Sequence, residues 1–248
     1  QVITYLEGKN KISINKSENF SSPAGISVAS GANLTIDSEP EQPGSIEVLN
    51  ETTATRNGAA IGGNGGEDAG TIHIQGGTVI AKMTNSSSMG AAIGASVGKS
   101  VEEIRISGGT VTAETTSNGA GIGTGGANGK KRTGKIVIEG GTVNASSSNG
   151  AGIGSGIGYA RSKPAMAITA DIEIHGGMIT AYSYKGACIG SGSNSSSEVL
   201  IDGGTICLVK KNDETSRDAA HIGKGSETST YSPTDVKIAG GTICLIGA

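Results

Sequence analysis

One five-residue phrase, Gly-Ala-x-Ile-Gly, constrains this chain more than any other feature. It stands at Gly58-Ala59-Ala60-Ile61-Gly62 and recurs, with small variations, in copies beginning at Gly90, Gly119, Gly150, Gly186 and Ala219. Each copy is followed by a second phrase, Ile-x-Ile-x-Gly-Gly-Thr-Val-x-Ala or a variant, with Gly-Gly pairs starting at Gly76, Gly108, Gly140, Gly176, Gly203 and Gly240. Both series return at intervals between 27 and 37 residues. A period of that length denotes stacked supersecondary units, because one unit cannot bury its apolar side without a neighbour above and below.

The segment Thr71-Ile72-His73-Ile74-Gln75-Gly76-Gly77-Thr78-Val79-Ile80-Ala81 shows what one unit is. Ile72 and Ile74 alternate with polar residues, and Val79 and Ala81 resume the alternation after the Gly-Gly corner; this period of two denotes strands. Gly-Gly suits the bend because glycine takes positive φ without a Cβ penalty. Gly-Ala-x-Ile-Gly reads as a third strand with Ala59 and Ile61 inward. Three strands per turn, each pairing with its equivalent one turn on, give an all-β, three-sided parallel β-helix of about seven turns. Crossover chirality favours the right-handed form.

The inward columns follow directly. They are Ile72, Ile104, Ile136, Ile172, Val199, Val236; then Ile74, Ile106, Ile138, Ile174, Ile201, Ile238; then Val79, Val111, Val143, Ile179, Ile206, Ile243. Such columns replace a conventional core, which a chain with no Trp and 2% aromatic residues cannot build. The whole reads as one domain: an irregular N-terminal capping coil over 1–57, then regular repeats over 58–248. In the leading coil Ala24-Gly25-Ile26 matches the third strand, Leu34 and Ile36 the first, and Ile46 and Val48 the second. Val2 to Leu6 is expected to fold over the first turn as a cap. Ile243, Leu245 and Ile246 close the sequence inside an apolar strand, which predicts further domains of a longer parent chain or a last turn that meets another chain.

A net charge of −3 and a pI near 5.7 supply no basic patch, which argues against nucleic acid as a partner. No apolar run approaches the roughly 18 residues of a spanning helix, so membrane insertion is not expected. Three cysteines do not make a disulfide framework. Cys207 and Cys244 occupy equivalent places in consecutive repeats, and the sequence leaves open whether they pair or stand as free thiols.

The two alternating phrases resemble the β-helix segments of large secreted or wall-attached proteins of Gram-positive bacteria, many of them from gut communities. The resemblance covers about residues 58 to 248. It implies a secreted or cell-surface location and an association with adhesion or glycan contact, and it brings no catalytic motif.

Outward positions form ladders in which chemistry is to be sought. The ladder before the Gly-Gly corner reads Gln75, Ser107, Glu139, His175, Asp202, Ala239. Glu139 and Asp202, two turns apart, would be separated by about 9.6 Å, near the upper limit for an inverting glycosidase. They are the candidate catalytic pair, with His175 between them, against the alternative of a solvated polar ladder. The next ladder, His73, Arg105, Val137, Glu173, Leu200, Lys237, does not converge and argues against a metal site; no cofactor is expected. A Thr file at 78, 110, 142, 205 and 242, interrupted by Met178, raises ice binding, though its neighbouring file is irregular.

The third side is read as a face nearly free of side chains. Its outward residues are expected to be Ala60, Ala92, Gly121, Gly152, Cys188 and His221, which form a contact surface unless the protein's own loops cover it. Tyr159 and Arg161 in an insertion, with Tyr182, Tyr184 and Lys185 after the next strand, are the candidate sugar-binding residues. The function these features predict is a non-catalytic β-helix module, structural or adhesive, contacting polysaccharide or host glycan. A carbohydrate-active enzyme of glycoside hydrolase or polysaccharide lyase type is the alternative, and an ice-binding protein the second.

Overall fold

The computed structural model describes residues 1–15, 21–53, 57–128, 132–159, 168–210, 219–226 and 234–247. They form a parallel β-helix of three long sheets, two of eight strands and one of seven. The first sheet runs from Val2–Tyr5 through Asn33–Asp37, Ala69–Ile74, Val101–Ile106, Arg132–Ile138, Ile168–Ile174 and Ser196–Ile201 to Thr234–Ile238. The second runs from Lys9–Ile14 through Ser45–Asn50, Thr78–Met83, Thr110–Thr115, Thr142–Ser147, Met178–Ser183 and Thr205–Lys210 to Thr242–Gly247. Every strand pairing in the three sheets is parallel.

Register is set by the aliphatic columns. Ile72, Ile104, Ile136, Ile172, Val199 and Val236 pair in sequence, as do Ile74, Ile106, Ile138, Ile174, Ile201 and Ile238. A slip of one residue would turn each of these side chains outward, so burial locks the pairing. Ile74, Ile106, Ile138 and Ile174 are fully buried. Ile26, Leu34, Ile36, Ile46 and Val48 of the leading coil join the columns as expected.

The corner between the first two sheets explains its glycines. The second glycine of each pair has positive φ, from 73° at Gly77 to 90° at Gly177, a region closed to most L residues.

Two features differ from expectation. Val2–Tyr5 does not fold over the first turn; it adds one more parallel strand, with Val2 opposite Leu34 and Thr4 opposite Ile36. Pairing satisfies a row of backbone donors and acceptors that a crossing segment would leave open, and only Leu6 tucks inward. The third sheet is also much narrower than a five-residue strand. Its strands are Ile26–Ser27, Ile61–Gly62, Ile93–Gly94, Ile122–Gly123, Ile153–Gly154, Ile189–Gly190 and Ile222–Gly223, two residues each.

Candidate functional site

The third side turns the predicted contact face inside out. The last glycine of each phrase has positive φ, 140° at Gly62 and 134° at Gly123, where the strand ends. A Cβ on Gly121 would meet the Ala113 carbonyl oxygen at 2.9 Å and the Ser146 nitrogen at 2.9 Å, both on the second sheet. The column Ala60, Ala92, Gly121, Gly152 and Cys188 therefore points into the prism; Ala60, Ala92 and Cys188 belong to the hydrophobic core. These residues are buried and cannot be a contact surface. Small side chains there let the narrow side approach the second sheet. Loops close over the outside as well: Gly126 N donates to Met89 O at 2.6 Å and Ile157 N to Asn118 O at 2.9 Å.

The same corner holds a row of interior polar residues that alternation alone did not reveal. Ser147 Oγ donates to Gly119 O at 2.8 Å, Ser183 Oγ to Gly150 O at 2.7 Å, and Lys210 Nζ to Gly186 O at 2.7 Å. Each reaches the first glycine of the preceding turn's phrase. A polar residue at the end of each strand's otherwise apolar inward file was the available signal. Burial pushes the Lys210 ammonium below its ordinary pKa, and burial pushes the Cys188 thiol up.

The polar ladder before the Gly-Gly corner is real and solvent-facing. Backbone bonds from Ser107, Glu139, His175, Asp202 and Ala239 to the turn before carry it from level to level. His175 Nδ1 lies 2.7 Å from Asp202 Oδ1, and its Nε2 lies 3.5 Å from Glu173 Oε2. Those two carboxylates raise its pKa, the Asp202 hydrogen bond most. Glu139 does not join them. It accepts from Arg105 Nη1, while Arg105 Nε donates to Glu103 at 2.9 Å. The candidate pair is thus split between two neighbouring ion-pair groups, and both carboxylates are about two-fifths exposed.

Farther along the strands, two adjoining hollows sit on the outer surface of the first sheet and share Asp171. One, of about 390 Å³, is lined by Ser30, Asp68, Ser100, Glu102, Lys135, Thr169 and Asp171, with the buried Ala69 and Val101 and with Gly134 completing it. The other, of about 350 Å³, is lined by Asp171, Glu173, Glu198, Leu200, Asp235 and Lys237 among others. Asp171, Glu198 and Asp235 stand in register on successive strands. The carboxylates of the first hollow are held in place. Glu102 Oε1 accepts from Ser30 Oγ at 3.0 Å and Gly31 N at 2.7 Å, and Asp68 Oδ1 from Ser100 N at 2.9 Å. Sequence reading missed this groove because Ser30, Asp68 and Ser100 lie in loops outside the repeated phrases.

The tyrosine candidates stand on different elements. Tyr182 lies on the second sheet opposite Ser146 and Val209, and Tyr184 and exposed Lys185 follow at the next corner. Tyr159 belongs to a separate two-stranded ladder, Ala127–Asn128 with Gly158–Tyr159. Arg161 lies outside the described residues. The Thr file is in register, but its neighbour reads Ile80, Thr112, Asn144, Thr180, Cys207, Cys244. Among the described residues no group of three or more His, Cys, Asp or Glu side chains is arranged to hold a metal ion.

A family model agrees with this architecture: described as a beta helix repeat, it matches residues 72–97, 104–126, 136–157 and 172–193. A solved structure described as a polysaccharide lyase-like protein from C. thermocellum aligns over 99% of this chain and 73% of its own, at 16% identity and a TM-score of 0.42. No curated protein matches the chain.

Proposed function

We propose that this chain is a non-catalytic β-helix module of an exported or cell-surface protein, and that it contacts polysaccharide through the groove on its first sheet. The observation that carries the reading is the set of fixed carboxylates and hydroxyls in that groove. Glu102 and Asp68 are oriented by protein donors through one oxygen each, while Lys135, Thr169 and Asp171 add a donor and further acceptors. Sugar hydroxyls are both donors and acceptors, and fixed carboxylates beside an ammonium and hydroxyls suit them. A groove crossing successive strands suits an extended chain rather than a compact ligand.

The test is retention of the purified protein on insoluble cell-wall and plant polysaccharides and on a glycan array, with Asp68→Asn and Asp171→Asn variants alongside. Binding weakened about tenfold or more in the variants supports the reading. Retention that both variants leave unchanged removes the groove from it. Release of reducing ends from a bound glycan, abolished by Glu139→Gln, would replace it with the carbohydrate-active enzyme.

A further inference from the structure

We infer that Cys207 and Cys244 form a thiol pair set to close into a disulfide, stapling the last described strand of the second sheet to the strand before it. The two residues are direct partners on parallel neighbours, Thr205–Lys210 and Thr242–Gly247. Parallel neighbours stand about 4.8 Å apart, inside the Cα separation that disulfides span, roughly 4.4 to 6.8 Å. Both side chains leave the sheet on its outer side, in the file that holds Ile80, Thr112, Asn144 and Thr180 in earlier turns. Only in these last two turns does sulfur face sulfur. Burial and the adjoining Cys244 thiol push the Cys207 thiol up.

Both thiols are within reach of solvent at this place. Cys244 is exposed and Cys207 half-buried, so a small oxidant reaches both, whereas Cys188 is buried and directs its sulfur at the Val209 carbonyl, 3.2 Å away. Among the described residues, Thr242–Gly247 stands at one end of the second sheet's strand order, with Leu245 58% and Ile246 42% exposed. Closing the bond brings the two stacked Cβ atoms together from about 4.8 Å by roughly 0.3 to 1 Å, into the range that a disulfide spans.

The oxidant is a small-molecule disulfide. One cysteine thiolate attacks it, forming a mixed disulfide and expelling one small thiolate; the second cysteine thiolate attacks the protein sulfur of that mixed disulfide and expels the other. The two cysteine protons pass to solvent or to the expelled thiolates, and the oxidant is reduced to two thiols while one Cys207–Cys244 bond forms.

The experiment incubates the chain with oxidised glutathione and counts free thiols in denaturant. The count is expected to fall from three to one, with the protein monomeric, no glutathione retained, and a peptide spanning Cys207 linked to one spanning Cys244. Amide exchange across Thr242–Gly247 should slow by about tenfold on oxidation and recover on reduction. Cys207→Ser and Cys244→Ser, which place a hydroxyl where other turns carry Thr, should each abolish both effects. Three persisting thiols, a stable glutathione adduct, a covalent dimer, or linkage through Cys188 would overturn the inference.

Discussion

Nδ1 of His175 lies 2.7 Å from Oδ1 of Asp202, one turn further along the same ladder. Because Asp202 and Glu173 favour the imidazolium, its pKa stands above the usual 6.5. His73, three turns earlier in the adjoining ladder, is shifted the other way, first by burial and then by the Arg105 charge.

The signs separate the two residues. A raised folded pKa means that the His175 contribution to stability is fully present below about pH 6.5 and is lost as pH rises through its folded value. The lowered pKa of His73 gives the reverse: its contribution is present above about pH 6.5 and is lost as pH falls through its folded value. Titration of the imidazole resonances by NMR should place the His175 midpoint above 6.5 and that of His73 below it. Asp202→Asn should bring His175 down and leave His73 in place.

Glycine at the end of the Gly-Ala-x-Ile-Gly phrase is required twice over. Gly123 has φ of 134°, and a Cβ there would lie 1.9 Å from the Gly154 carbonyl oxygen. Gly123→Ala should cost more than about 4 kcal/mol, among the largest single-residue effects, or abolish folding. Gly8, with φ of 59° and nothing within 4 Å of a Cβ, is the control. Gly8→Ala should cost only about 1–2 kcal/mol for the left-handed backbone. Thermal melts of the two variants check the difference.

Column residues and surface files should part company in denaturant unfolding. Ile138 is fully buried, and Ile138→Ala is expected to cost about 2–5 kcal/mol. Thr142, four residues on and facing outward beside Thr110, should tolerate Ala within roughly 0.5 kcal/mol.

The interior latch is tested at Ser147. Removing its hydroxyl leaves the Gly119 carbonyl without that donor inside the prism, at a cost of about 1–3 kcal/mol. Ser147→Thr, which keeps a hydroxyl as Thr115 does one turn earlier, should recover part of the loss in the same melt.

Glu139→Gln weakens one exposed ion pair with Arg105, so its effect on stability should stay within about 1 kcal/mol. A larger loss in unfolding free energy would show that Glu139 carries more than the surface pairing.

The sequence by itself determined the strand type, the register and the columns from Ile72 to Val236 and from Ile74 to Ile238, because burial of one face fixes a period of two wherever backbone geometry is ordinary. It also determined which ladders face solvent before the Gly-Gly corner. Only the tertiary structure decided the third side. Ala60 and Gly121 face inward where the period alone sends them outward, because the narrow third side packs against the second sheet. It likewise decided the partners of Glu139 and Asp202 and the groove around Asp171. Those depend on side-chain reach across turns and on loops such as Ser30 and Ser100, and neither is encoded in any local period.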